Sequence, residues 1–196
     1  MRCQDLIDKL KQENQDLITQ VEEQLRPMDA KQWAWRVKSN GWNALETMEH
    51  LNRMFDRAFP KINLTIDKAL EEGHSPTETY QVGWIGEVAV QLIDNSEERK
   101  NYLKFKTPTS FNPLDQPLEV EKVLGAFLAQ LQEYDRMLER SRLVPLGKVR
   151  VRFTSGSFVR FRLGDTLRFI SAHTSRHVLQ IKRLLNHEQF PKSIGA

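Results

Sequence analysis

Leu6, Leu10, Leu17, Val21 and Leu25 recur with charged residues and glutamines between them, a spacing that predicts an amphipathic helix of about 22 residues. Pro27 and Asp29 end it. Asn40-Gly41 marks a turn, after which Trp42, Leu45, Met48, Leu51 (or Asn52), Phe55 and Phe59 form a second apolar stripe. Pro60 should kink or break this helix, because its ring clashes with the preceding turn and it has no N–H to donate. A further helical stretch is expected over 61–72, stopped by Gly73. Over 80–94, Trp84, Val88, Leu92 and Ile93 fit a short helix, although the same valine-rich spacing also suits a strand.

Residues 96–116 read as a long connection, charged first and then carrying Thr107-Pro108 and Phe111-Asn112-Pro113. Pro117 is expected to open a third long helix bearing Leu118, Val123 (or Leu124), Phe127, Leu131, Tyr134 and Leu138. Pro145 and Gly147 close it. Apolar and basic residues alternate over 149–153 and 158–161 around Thr154-Ser155-Gly156-Ser157, which reads as a β-hairpin or as a basic loop. A last helix should start near Gly164, capped by Asp165 or Thr166, and run to about His187. Leu167, Ile170, Thr174, Ile181 and Leu184 make its apolar face. The fold expected from this pattern is all-α: a four-helix bundle with a long crossover between its second and third helices.

With 196 residues, 39% hydrophobic and 28% charged, the chain is expected to form one domain over 1–196. No apolar run approaches the ~18 residues of a membrane span, and the N-terminus enters a charged helical pattern with no apolar signal region. Cys3 is the only cysteine, so no internal disulfide and no cysteine-rich metal site can form. At an N-terminus expected to be mobile, it is no candidate nucleophile. A cytoplasmic location is expected.

The net charge of +3 conceals an asymmetry. From Arg140 onward stand twelve Lys/Arg and two acids, Asp165 and Glu188; of 29 bases and 26 acids in all, residues 1–139 keep 17 and 24, a balance of −7. A basic carboxy-terminal third can meet an anionic partner or the acidic remainder of the fold. It would serve a non-catalytic helical-bundle binding module, the alternative to an enzyme. Its arginines lack interleaved exposed aromatics, so nucleic acid is not the expected partner.

The candidate chemistry lies in histidines. His173 and His177 stand one helical turn apart, a spacing that lets two imidazoles chelate one ion. Both fall on the apolar face of the last helix, where an unpartnered polar group costs about 1–3 kcal/mol. His50 on the second helix can complete a three-nitrogen site with open positions, the arrangement of catalytic rather than structural metal sites. Imidazoles suit zinc, nickel or iron. Glu46, one turn before His50, is a candidate to orient it, and Arg176, between the paired histidines, is a candidate to receive an anionic small-molecule substrate. His74 in a turn and His187 at a helix end read as structural. Ser155 and Ser157 lack a nucleophile-elbow pattern, and no phosphate-binding glycine loop is present.

Several stretches also resemble one family. Gln32-Trp33-Ala34-Trp35-Arg36, then Gly41-Trp42, Leu45-Glu46 and Glu49-His50-Leu51, resemble the entry to the second helix of the DinB-like superfamily. These are small metal-binding four-helix bundles related to bacillithiol and mycothiol S-transferases. Thr107-Pro108 through Phe111-Asn112-Pro113 looks like a loop in one branch of that family. His173-Thr174-Ser175-Arg176-His177-Val178-Leu179-Gln180 is similar to its last-helix motif, two histidines four apart with a glutamine three further on. The resemblance covers nearly the whole chain and implies that His50, His173 and His177 hold one divalent ion. It further implies transfer of a low-molecular-weight thiol, in detoxification or stress response, and by analogy a homodimer; hydrolysis by a metal-activated water is the other chemistry such an ion allows.

Overall fold

The computed structural model describes residues 1–93, 111–115, 117–152 and 160–192. Helix α1 (Cys3–Gln20) buries Leu6, Ile7, Leu10 and Leu17 and passes into one π-helical turn at Val21–Leu25. There Arg26 N–H reaches back to the Val21 carbonyl, and the wider turn keeps both Val21 and Leu25 in the core. Asp29 starts a new helix. Its carboxylate accepts from the backbone N–H groups of Lys31 and Gln32, and Gln32 closes the capping box over the short α2 (Ala30–Ala34).

Helix α3 (Ala44–Glu71) opens with a second capping box, Asn43 with Glu46. It runs unbroken through Pro60, against the expectation of an interruption. Pro60 is exposed, while Phe59, Ile62 and Ile66 around it are buried. The backbone bond that proline removes lies on the wet side, and core packing on the other side holds the helix together. Gly73, at φ 70°, ends it, with Gly73 N–H on the Leu70 carbonyl and His74 N–H on that of Ala69.

The chain then crosses back beside the N-terminus through an antiparallel bridge between Arg2 and Thr79. Cys3 N–H donates to the Glu78 carbonyl and Tyr80 N–H to that of Met1. Cys3 is therefore buried and tied in place, not on a mobile end as expected. A short helix, α4 (Trp84–Ile93), follows, and the alternative of a strand there falls away. Thr107-Pro108 and most of the 96–116 connection lie outside the described residues, which resume at Phe111 with a 3-10 turn at Pro113–Asp115.

Helix α5 (Val120–Ser141) begins three residues later than Pro117 suggested. Arg150–Val151 (β1) pairs antiparallel with Phe161–Arg162 (β2), so the hairpin reading holds as a two-residue ladder. Its expected turn, Thr154-Ser155-Gly156-Ser157, lies outside the described residues. Helix α6 (Leu163–Leu185) follows directly, and neither Asp165 nor Thr166 caps it. Asp165 is buried inside the first turn, where it accepts from the Tyr80 hydroxyl and the Gly83 N–H. The close fit needs Gly86, since a Cβ there would overlap the Asp165 side chain.

The architecture is an all-α bundle. α1 and α3 each lie against both α5 and α6, and α4 packs along α6. Leu51, Phe55, Ile62, Phe127, Leu131, Met137, Leu167 and Ile181 fill the centre; each such side chain contributes about 1.5–3 kcal/mol through burial. Polar ties set the registers. Asn14 donates to the Leu131 carbonyl, Asn52 to that of Val123 and Tyr134 to that of Leu167. Part of the basic excess is absorbed internally, as Arg140, Arg142 and Arg168 pair with Asp67, Asp8 and Glu87. No helix of the described residues is long and apolar enough to cross a membrane.

Candidate metal centre

Because α3 and α6 are neighbours in the bundle, an inward residue on one meets the inward face of the other. His50 from α3 meets His173 and His177 from α6. One ligand atom from each lies within 4.8 Å of the other two, the one such group among the described residues. The imidazole centroids stand 4.8 Å (His50–His177), 5.6 Å (His50–His173) and 4.6 Å (His173–His177) apart. His50 and His177 are buried and His173 is partly so.

Hydrogen bonds orient two of the rings. His50 Nδ1 donates to the Phe111 carbonyl at 2.9 Å, which can only accept, so the Nε2 lone pair is left free to face the cluster. His177 Nδ1 pairs with Gln180 Oε1 at 3.1 Å and is set the same way. His173 Nε2 lies 3.4 Å from His50 Nε2. His173 Nδ1 is buried with no hydrogen-bond partner among the described residues, so no bond holds the proton on Nε2 and that nitrogen is free to serve as a ligand.

This donor set fits a divalent ion. Two nitrogens bound at ~2.1 Å to a tetrahedral centre stand ~3.4 Å apart, the separation found for His50 and His173. A separation as wide as 4.8 Å would have to close by about 1.4 Å to reach that tetrahedral spacing, a shift within reach of side-chain rotation. The rings are also kept neutral, as ligands must be. Burial pushes the imidazole of His50 down, that of His173 down to about 3 with the nearby His50 and Arg176 adding to it, and that of His177 well down.

The consequence for stability has a definite sign. Below the ordinary imidazole value of 6.5 the unfolded chain takes up protons that the folded metal-free chain refuses. Stability is therefore fully present above that value and falls as pH drops from there towards about 3. Urea midpoints of the metal-free protein at about pH 7.5 and about pH 5 should differ more than those of His173→Ala, which has one fewer suppressed imidazole. Equal differences for the two proteins would count against neutral buried rings.

Aromatic rings wall the cluster. Trp42 lies 5.0 Å from His50, Phe169 stacks on His173 at 5.6 Å and 9°, and Phe111 meets His50 edge-on at 6.3 Å. Arg53 donates to the Asn112 carbonyl and Arg57 covers the Phe111 ring at 5.0 Å, so one face of α3 fastens the segment that supplies the Phe111 carbonyl.

Glu46 does not orient His50. One of its oxygens accepts from Arg36 and the other from the Asn43 backbone N–H, so it is consumed by the cap of α3, and the Phe111 carbonyl holds His50 instead. Arg176 lines a cleft between α1, α4 and α6, and its charge contributes to lowering His173 and His177. His74 stands 3.3 Å from Glu72, and His187 packs against Trp35 near the end of α6, both away from the cluster. The sequence marked Phe111 only as part of a loop, not the role its backbone carbonyl takes, and offered no sign of Phe169. Gln180 stood in the last-helix motif, but its bond to His177 is a tertiary detail.

No curated protein and no solved structure matches the chain. A family model does, that of the DinB superfamily, over residues 13–181. That span takes in the later part of α1, the whole of α3 and α5, most of α6 and the three converging histidines. The chain belongs to the DinB superfamily.

Proposed function

We propose that this protein is a divalent-metal-dependent enzyme that transfers a low-molecular-weight thiol onto a small electrophile, in detoxification or stress response. The observation that carries the reading is the meeting of His50, His173 and His177 with the Nδ1 atoms of His50 and His177 already engaged away from the cluster. When bound, a zinc, nickel or iron ion supplies Lewis acidity that lowers the pKa of a thiol or water it holds.

The protein's own part is to present neutral nitrogens, fix two of the rings through the Phe111 carbonyl and Gln180, and exclude water with Trp42, Phe111 and Phe169. Among the described residues no carboxylate joins the three imidazoles. Glu46 is held by the helix cap and Glu49 by Arg53. Hydrolysis draws on a positioned side chain to move protons to a leaving group. A thiolate is already a strong nucleophile and needs no such base. This favours thiol transfer over hydrolysis.

The test is to load the purified protein with zinc, nickel or iron in turn. Each form is then offered a panel of low-molecular-weight thiols with a chromogenic aryl halide and, separately, chromogenic esters and amides. Metal-dependent conjugation lost in His177→Ala supports the proposal. Metal-dependent hydrolysis without conjugation would replace it with a hydrolase, and no turnover of either kind would remove the enzyme reading.

A further inference from the structure

A cleft of about 510 Å³ lies between α1, α4 and α6, within the size range of small-molecule sites. Leu6 and Leu10 of α1, Val90 of α4 and Leu179 of α6 form its apolar walls. Ser175 and Leu179 on this wall follow His173 and His177 by two residues, ~200° round the helix. None of the three histidines lines the cleft. It is a site apart from the candidate metal centre.

Its charges are nearly all matched. Glu13 accepts from Ser171 at 2.7 Å and faces Lys9 at 3.7 Å. Glu87 pairs with Arg168 at 2.9 Å. Arg176 is left over: half-buried, on the cleft wall, with no hydrogen bond or carboxylate partner among the described residues. A guanidinium half out of water beside apolar walls is completed by an anion, for which its planar fork of donors is suited. The other four side-chain charges cancel in pairs, and the Met1 ammonium, also on the cleft lining, donates to the Tyr80 carbonyl, so Arg176 is the one side-chain charge left unmatched. A compact, fully hydrated anion such as phosphate would face Glu13 and Glu87 and leave the apolar walls of Leu6, Leu10, Val90 and Leu179 unused. We propose that this cleft binds a small amphipathic monoanion, a carboxylate on an apolar body, with Arg176 as its anchor.

The probe is octanoate, titrated calorimetrically into the full chain, with octylamine and inorganic phosphate as controls. Octanoate should bind, and neither control should compete with it. Arg176→Gln should weaken octanoate about tenfold or more, and Ala172→Trp, which fills the cleft, should abolish binding. His177→Ala should bind octanoate as the unaltered protein does, so this result is separable from the fate of the metal reading. Undiminished binding in Arg176→Gln, loss of binding in His177→Ala, or equal binding of octylamine would overturn the proposal. Should Ala172→Trp not fold, as judged by circular dichroism, Arg176→Gln and the ligand controls decide alone.

Discussion

His177→Ala and His173→Ala are each expected to reduce the metal content of the purified protein from about one divalent ion per chain to near none, read by mass-spectrometric metal analysis. The expectation rests on geometry. Three imidazole nitrogens within 4.8 Å of one another can share one ion, and removing any of them leaves two. Gln180→Ala keeps all three ligands and loses only the group that orients His177. It should weaken metal affinity about 10–100-fold without preventing loading at high metal concentration.

The same ion should also stabilise the fold. At about a thousand times its dissociation constant a ligand that binds only the native state adds about 4 kcal/mol, and in a chain of this length each kcal/mol shifts Tm by about 2–4 °C. Chelation of the loaded protein is thus expected to lower its Tm by roughly 8–16 °C. His177→Ala should already melt at the chelated temperature. Full metal occupancy in both histidine variants would end the metal-centre reading.

The largest effect away from the histidines is expected at Asp165. Its carboxylate accepts from the Tyr80 hydroxyl and the Gly83 N–H, joining the 74–83 segment and the start of α4 to the first turn of α6. Burial and the adjacent carboxylate push the Tyr80 hydroxyl far up, so it stays a donor at any accessible pH. Asp165→Ala leaves two donors in a dry environment, at about 1–3 kcal/mol each. A total of about 2–6 kcal/mol corresponds to a drop in Tm of roughly 4–24 °C. Hydrogen exchange should locate the loss, with amides of α4 and the 74–83 segment exchanging faster while α5 is unchanged. A variant that melts within a degree or two of the parent would show that this network is not what fastens α4.

Particular residues show why some features could be read in the sequence and others could not. The stripes from Leu6 to Leu25 and from Val123 to Leu138 mark buried faces, because burial demands apolar residues every three or four positions. His173 and His177 share a face for the same local reason. Pro60 misled, because a rule about backbone bonding was overruled by packing on both sides of it. Asp165 misled as well. It looks like a helix cap in its own neighbourhood, but its partners lie 82 and 85 residues earlier. Glu46 was given the role that the Phe111 carbonyl fills, and a carbonyl carries no residue identity to read.

The sequence by itself determined the helical class, the four apolar stripes and the chelating pair on α6, all consequences of periodicity within single elements. The match to the DinB superfamily over 13–181 is likewise a property of residue order. Only the tertiary structure decided that α3 packs beside α6, so that His50 meets His173 and His177, and which groups orient the rings. It alone also formed the cleft with its unmatched Arg176. The reason is physical: periodicity reports which face of a helix is dry, whereas the partner across that face is chosen by how all the helices pack together.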